Sequence, residues 1–340
     1  MNSRTSAPVT ASRIAVRWAI AAVVVIALLV GGALAANRLL FSPQKQVASL
    51  QQYLAAGDGA HALGLMQATV PQGDAVALDG EVLKRTQEGI TDFTVDAAVP
   101  SEQDPDLRQV TAHYKAAGVE KESTYTLRHT GKNWLFFDTW AFEPSTLPTV
   151  QIKANTVNEV NVNQQAIPLK AGTSTLPVFY PAVLDASFST KNFEADTRGV
   201  VVTGVGKQPV QIALKTQPTK EFIASISAKV KKYLDGCATQ QVLMPSGCPF
   251  AYNTTARVDS SSIKWSIDKY PSIDVSYYNG AWILAPLEVK ASVNLVEQDL
   301  RTGAKEAKKV TEKFSFTAHL TTSTTEVSVA PVAGGEQAAR

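Results

Sequence analysis

One uninterrupted apolar segment near the amino terminus constrains this 340-residue chain more than any other feature. Residues 18–36 read WAIAAVVVIALLVGGALAA and contain no charged side chain. As a helix rising about 1.5 Å per residue, the segment is about 28 Å long, close to the roughly 30 Å of a bilayer core. Leu39, Leu40 and Phe41 extend the apolar patch. We therefore predict a single transmembrane helix over residues 18–41, with the lipid bilayer as its partner.

The residues before the segment predict its orientation. Residues 1–17 contain Arg4, Arg13 and Arg17 and no acidic side chain. Because basic residues stay on the cytoplasmic side of a membrane, residues 1–17 are predicted to be a cytoplasmic tail. Everything after the helix is then extracytoplasmic, and the chain is a single-pass protein of the cell membrane.

A cleaved signal peptide is the competing interpretation. Ala33, Leu34 and Ala35 fit the small-x-small pattern of a cleavage site, and cleavage near Ala35 would release a secreted protein. The apolar core of a signal peptide is about 7–15 residues long, and this one is longer, so we favour the uncleaved anchor. No cysteine stands near the end of the segment, which excludes a lipoprotein anchor.

Composition excludes several classes of protein. The chain is 45% hydrophobic and 18% charged, enough apolar material for packed cores, and its length predicts two or three domains. The near balance of 32 Lys+Arg and 30 Asp+Glu argues against a nucleic-acid partner. Two cysteines and four histidines are too few for a multi-cysteine zinc or iron–sulfur site, and we predict no cofactor.

The outer part divides by pattern into three units and a tail. Residues 43–146 begin with a helix whose apolar stripe is Val47, Leu50, Leu54, Leu63 and Met66. A short helix over residues 77–87 and strands over residues 89–99, 107–116, 123–129 and 134–142 follow, with a hairpin turn at 131–133. Residues 147–217 lose helical spacing and read as a small all-β module, with strands at 159–162, 176–179, 182–188, 200–205 and 210–214.

Residues 218–322 return to the order of the first unit. Thr219 is a candidate N-cap for a helix with the stripe Phe222, Ile226 and Val230, and Gly236 is predicted to end it. Strands are predicted over residues 256–267, 273–278, 281–296 and 310–320, with Asn279-Gly280 as a hairpin turn. Residues 323–340, rich in Ser, Thr, Ala and Gly, are predicted to be a disordered tail.

The opening helix carries a family resemblance. Residues 53–63 read YLAAGDGAHAL, which resembles the first helix of NTF2-like, or cystatin-like, extracytoplasmic domains. An anchor followed by NTF2-like and small β modules is similar in layout to the teicoplanin-resistance-associated membrane protein family, and residues 157–163 resemble a strand and turn of its β modules. The resemblance implies an α+β cell-envelope protein in which NTF2-like domains at 43–146 and 218–322 flank the small β domain. It carries no catalytic residue to this chain.

Cys237 and Cys248 are the sharpest local signal. Two cysteines outside the membrane, separated by a loop with Pro245 and Gly247, predict a disulfide that holds this loop. Closing roughly a dozen residues contributes about 2–3 kcal/mol in the chain-entropy model. A redox pair is disfavoured because such pairs are usually Cys-x-x-Cys.

No catalytic constellation is found in the sequence, and we expect no enzyme activity. A nucleophile elbow, a zinc-protease helix and a phosphate loop are all absent from the sequence. The four histidines (61, 113, 129 and 319) are far apart, and no metal site is predicted. The alternative is a ligand-binding or ketosteroid-isomerase-like cone, in which Asp138 is the candidate acid. Alternation along its strand favours an outward-facing carboxylate instead.

Four tryptophans on predicted strands are candidates for lining a pocket. They are Trp134, Trp140, Trp265 and Trp282. Packing in the core of a concave sheet is the expected role. Lining a site for a small apolar or glycan ligand is the alternative.

These expectations add up to a single-pass envelope protein with a binding or scaffolding role. A cell-wall polymer and another envelope protein are the candidate partners beyond the bilayer. Charge is uneven, because residues 43–146 carry 8 basic and 14 acidic side chains and residues 219–320 carry 13 and 10. The lysines of the third unit could attract an anionic polymer, although we favour the interpretation that they form a solvated helix face and hairpin tip. They include Lys229, Lys231, Lys232, Lys305, Lys308 and Lys309.

Overall fold

The computed structural model describes residues 9–102, 104–134, 137–206, 208–323 and 326–332. It has a mixed α+β architecture with one long apolar helix at the amino terminus and curved antiparallel sheets after it. This confirms the predicted α+β class.

The amino-terminal helix α1 spans Val9–Leu40 and is longer than the sequence predicts. Its segment Val16–Asn37 is long and apolar enough to cross a membrane, and the side chains of residues 16–32 are exposed. An exposed apolar helix of this length is typical of a membrane span and of a signal sequence alike.

Three helices open the first unit: α2 Pro43–Ala56, α3 Gly59–Met66 and α4 Gly80–Gln87. The predicted stripe of α2 is confirmed, because Val47, Leu50 and Leu54 are buried. Pro43 occupies the first turn, and Gly57 ends the helix with a φ of 76°, a conformation that glycine adopts without strain. The short helix predicted from residue 77 begins instead at Gly80, after a 3₁₀ turn over Ala75–Leu78.

The first sheet has the strand order β1-β3-β4-β5, with β2 paired to β3. Its strands are β1 Ile90–Val95, β2 Val99–Pro100, β3 Leu107–Ala116, β4 Val119–Asn133 and β5 Phe137–Phe142. The turn predicted at 131–133 is wrong, since β4 continues to Asn133, which pairs with Phe137. Gly131 lies at a shift in the strand register, with a φ of 133°, and therefore forms a bulge.

The middle unit consists of strands in two sheets, as the loss of helical spacing predicts. One sheet has the order β13-β11-β10-β7-β8, and the other has β12-β6-β9 with β6 and β12 parallel. The strands are β6 Thr149–Ala154, β7 Glu159–Val162, β8 Gln165–Pro168, β9 Thr173–Pro177, β10 Ala182–Ser189, β11 Phe193–Val202, β12 Val210–Leu214 and β13 Gln217–Pro218.

The hydrophobic core does not divide at residue 146, where the composition changes. One continuous cluster of buried side chains runs from Val47 to Leu214 and joins the first two predicted units. Tyr125, 2% exposed, donates a hydrogen bond across this junction to the carbonyl of Tyr180 (2.9 Å) and stacks on its ring. Burial raises the pKa of the Tyr125 phenol well above its usual value, so this donor keeps its proton.

A second core is built around α5, Lys220–Ala238, and also includes Phe193 of β11. Its predicted stripe is confirmed by the burial of Phe222, Ile226 and Val230, and Thr219 is its N-cap. The predicted end at Gly236 is wrong, because the helix continues to Ala238.

The sheet beneath α5 has the order β14-β18-β19-β20, with β15 also paired to β18. The strands of this unit are β14 Arg257–Val258, β15 Lys264–Lys269, β16 Val275–Tyr278, β17 Ala281–Leu284, β18 Leu287–Gln298, β19 Lys305–Thr322 and β20 Val327–Val332. The predicted hairpin turn at Asn279-Gly280 is confirmed between β16 and β17. The tail predicted to be disordered from residue 323 contains β20, which pairs with β19, and residues 333–340 lie outside the described residues.

Candidate functional site

The end of the apolar helix α1 is docked on the folded body. The Asn37 side chain donates a hydrogen bond from Nδ2 to Oδ2 of Asp138 (2.8 Å), and its Oδ1 accepts one from the Asp138 backbone N–H (2.9 Å). Four residues later the Phe41 ring stacks on Phe137, with 4.5 Å between ring centroids. Asp138 and Phe137 belong to β5, the last strand in its sheet. We call this contact, formed by Asn37, Phe41, Phe137 and Asp138, the anchor junction.

Asp138 is held as a carboxylate in the anchor junction. His129 on the neighbouring strand lies 3.1 Å from its second oxygen. Partial burial raises the pKa of the Asp138 carboxyl, but the hydrogen bonds from Asn37 and His129 outweigh burial, and the net pKa is lowered. A ketosteroid-isomerase-like acid needs an apolar pocket and a raised pKa. The structure therefore places this candidate acid in a structural contact and not in the interior of a cone.

Trp140 lies beside the anchor junction and contacts His129. Its ring meets His129 edge-on at 5.0 Å, and the guanidinium of Arg108 lies 5.7 Å above the ring. Such a cation–π contact stabilises an exposed site by about 0.5–1 kcal/mol. Trp140 is half-buried, and it packs behind the anchor junction.

The structure separates the remaining candidate tryptophans. Trp134 is 82% exposed at the tip of the β4–β5 hairpin, so the expectation that it lies on a strand and packs in a core is wrong. Trp265 is 7% exposed in the second core, where its indole N–H donates to the carbonyl of Val242 (2.8 Å). Trp282 lines a groove.

The groove lies between the middle unit and the second core and has a volume of about 670 Å³. Trp282 stacks on Phe193 at 4.6 Å and meets Tyr277 edge-on at 5.4 Å, while Phe188 completes the aromatic wall. The rim is mostly hydroxyl and amide groups, with the carboxylate of Glu159. An aromatic wall with a polar rim suits a small neutral ligand. Phe188 and Phe193 were not predicted as groove residues, because they come from a different unit than Trp282.

Three of the histidines make separate contacts with carboxylates. His61 contacts Asp58 (2.7 Å) and His113 contacts Asp96 (2.9 Å), while His129 belongs to the anchor junction's surroundings. Among the residues that the structure describes, no group of three or more His, Cys, Asp and Glu side chains could hold a metal ion.

The predicted disulfide is present between Cys237 and Cys248. It joins the last turn of α5 to the loop that follows. The Gln240 side chain accepts a hydrogen bond from the Ser246 N–H (2.9 Å), and the Tyr233 hydroxyl donates to the Gly247 carbonyl (2.6 Å). These hydrogen bonds hold both ends of the loop that the disulfide closes. This arrangement is typical of a structural disulfide.

Comparison with known proteins identifies no relative. No protein-family model matches the chain, and no curated protein or solved structure matches it at a significant level.

Proposed function

We propose that this chain is a single-pass cell-envelope protein whose body binds or scaffolds other envelope components outside the cytoplasm. The long exposed apolar helix is the observation that carries the proposal. Its apolar segment is longer than the roughly 7–15 residues of a signal peptide's apolar core, which favours an uncleaved anchor. Asn37 and Phe41 lie after the alternative cleavage site at Ala35, and in the uncleaved chain they tie the end of the helix to β5, which holds the body at the membrane surface.

Charge and cysteine chemistry support the orientation. Arg4, Arg13 and Arg17 precede the apolar segment, which favours a cytoplasmic amino terminus. The Cys237–Cys248 disulfide favours an oxidising compartment for the body. Both arguments support a body that lies outside the cytoplasm.

The packing of the first unit supports a binding or scaffolding role. The space between α2 and its curved sheet is filled by side chains such as Leu50, Val110 and Leu127, all 1% exposed or less. A helix packed on a curved antiparallel sheet also supports the NTF2-like assignment of residues 43–146 and 218–322. The filled interior favours surfaces over internal cavities as places for partners.

A second candidate function is binding of a small neutral ligand in the groove beside Trp282. The aromatic wall and the 670 Å³ volume favour it. The ketosteroid-isomerase-like alternative gains no support from Asp138, because its pKa is lowered and it serves the anchor junction.

Topology mapping tests the main proposal. The full chain is expressed with an amino-terminal tag and a carboxy-terminal tag behind Arg340. Protease added to intact cells is expected to remove the carboxy-terminal tag and to spare the amino-terminal tag until the cells are lysed. A protected carboxy-terminal tag would contradict the orientation.

Intact-mass analysis separates the anchored protein from the secreted alternative. The full-length protein is expected in the membrane fraction and is expected to resist extraction with alkaline carbonate. A mature chain beginning just after Ala35 in the soluble fraction would establish cleavage instead. Non-reducing peptide mapping of the same sample is expected to recover Cys237 linked to Cys248, and free thiols at both positions would contradict an oxidising compartment.

A further inference from the structure

The sheet beneath α5 has a strongly basic outer face. Its inner face packs on the helix through side chains such as Val289 and Val293, so alternate residues of the same strands point away from the core. The register places seven basic side chains at these outward positions. They are Arg257, Lys264, Lys269, Lys290, Lys305, Lys309 and Lys313. We call this surface the lysine face.

Three lysines lie side by side in one cross-strand row. Lys269 on β15 pairs with Lys290 on β18, which pairs with Lys313 on β19. Neighbouring strands are about 4.8 Å apart, and like charges directly opposite each other destabilise a sheet. Within the described part of the chain, Lys313 is the member of this row with a carboxylate at ion-pair distance, Glu288 at 3.1 Å. The row therefore has uncompensated positive charge.

Next to the row of three lysines, two residues along each strand, lies a central row of hydroxyl side chains. A second basic row lies two residues beyond it. Lys264 and Lys309 flank Asn294 in this row. In the central row, Ser292 is fully buried and its hydroxyl bonds to Thr311 and to the carboxylate of Asp268. Because successive rows are about 6.8 Å apart, the two basic rows are about 14 Å apart across the hydroxyls.

Carboxylates offset only part of this charge. Asp268 is bonded to Ser292, and Glu288 is paired with Lys313. Asp259 faces Lys305 at the far end, where hydrogen bonds from Ser261 and then the charge of Lys305 lower its pKa. Seven basic groups against these three leave the surface clearly positive.

We propose that the lysine face binds a flexible polymer that carries closely spaced phosphates. This inference rests on the proposed binding function and names its ligand class. Lysine ammonium groups are compact point charges that bind phosphate oxygens without demanding a fixed geometry. Phosphates repeated along a flexible chain can meet both basic rows of a twisted sheet, and the released counterions supply the binding free energy.

A polymer fits this surface better than a membrane does. Proteins that lie on a bilayer insert large apolar side chains between the headgroups. Between the basic rows the outward positions are polar, namely Ser266, Ser292 and Thr311, and the apolar ones further along are the smaller Val296 and Ala307. A sheet that twists also offers a poor match to a flat bilayer.

The test measures binding of inorganic polyphosphate to the full chain in a non-ionic detergent. Fluorescence anisotropy of an end-labelled chain of about 45 phosphates reports the affinity. The variant K264Q/K290Q/K309Q is expected to bind roughly tenfold or more weakly at low salt, because three phosphate contacts are lost. The slope of log K against log salt is expected to fall by about 2, since each contact contributes about 0.7.

A charge-matched control distinguishes the lysine face from net charge. The variant K220Q/K229Q/K232Q removes three exposed lysines from α5 and leaves the lysine face intact. It is expected to bind within about twofold of the unchanged protein at the same salt concentration. Equal losses in the two variants, or no binding by the unchanged protein at low salt, would overturn the proposal.

Two further measurements keep the outcome interpretable. Vesicles of phosphatidylglycerol that bind more tightly than polyphosphate, through the same lysines, would replace the polymer with a membrane surface. The single variant K290Q is expected to raise the melting temperature, because it relieves the row of like charges. A loss of polyphosphate binding by this variant would therefore not reflect unfolding. The binding assay uses purified protein and does not depend on topology. Its failure is therefore separate from a failure of the envelope assignment.

Discussion

Replacing Asn37 by alanine tests whether the helix α1 is coupled to the body. The Asn37 side chain makes two hydrogen bonds to Asp138, one to its carboxylate and one from its backbone N–H. A net neutral hydrogen bond contributes about 0.5–1.5 kcal/mol and one to a charged group about 1.5–3 kcal/mol. Because the site is half-buried, we take the low end of both ranges, so the two hydrogen bonds together contribute about 2 kcal/mol.

The Asp138 amide reports the contact directly. Its N–H is bonded to Asn37, so hydrogen exchange at this amide requires the anchor junction to open. At about 1.4 kcal/mol per factor of ten, N37A is expected to speed this exchange by about 30-fold. The measurement uses the full chain in detergent at neutral pH. Amides of the central strand β3 are the internal control, and N253A in an exposed loop is the matched variant.

The pH dependence follows from the lowered pKa of Asp138. A carboxyl whose pKa is lower in the folded state contributes stability that is fully present above its ordinary value of 3.8. That stability is lost as the pH falls through the lowered value, so acid is expected to open the anchor junction. Exchange at Asp138 that changes less than threefold in N37A would refute the coupling.

Two matched pairs test the packing of the body. W265A is expected to destabilise the protein by about 3–5 kcal/mol, because Trp265 is a buried core side chain. W134A removes an exposed ring and is expected to change the free energy of unfolding by less than about 0.5 kcal/mol. Urea unfolding measures both variants. G64A has open space around its new methyl group and is expected to stabilise α3 by up to about 1 kcal/mol. The methyl group of G59A would lie 1.7 Å from the carbonyl oxygen of Leu78, so its melting temperature is expected to fall. A fall of similar size in both glycine variants would contradict this packing.

Periodicity and turn chemistry predicted the elements whose structure is decided locally. Strands β3, β7 and β12 have the predicted bounds, because alternating apolar residues mark both ends. The stripes of α2 and α5 were predicted from spacings of three and four residues. The Asn279-Gly280 hairpin was predicted because both residues adopt the positive φ that this turn requires.

The errors occurred where pairing or packing overrides a local signal. Gly131 resembles a turn residue, but pairing with β5 makes it a bulge. Gly236 resembles a helix end, but α5 continues for two residues so that Cys237 is buried and reaches its disulfide partner. The strand predicted over 281–296 is interrupted at Ala285 and Pro286, because β17 pairs with β16 whereas β18 pairs with β19.

The lysine face and the groove beside Trp282 could not be predicted from the sequence, for the same physical reason. Lys269, Lys290 and Lys313 are far apart in the chain, and only the strand register brings them into one row. The wall of the groove similarly combines Phe193 with Trp282 from two units. Hydrophobic periodicity shows which side of a strand faces the core, but it carries no information on which strands become neighbours.

The anchor junction also solves a problem that every open sheet has. The last strand of a sheet presents unpaired backbone groups, which proteins cover or protect against pairing with another chain. Here the last strand is β5, and the Asn37 carboxamide satisfies the Asp138 N–H as a neighbouring strand would. An asparagine at the end of an apolar helix would otherwise only mark the return to water. Because the same side chain both ends the apolar segment and satisfies a backbone group at the sheet edge, the helix α1 is coupled to the fold of the body.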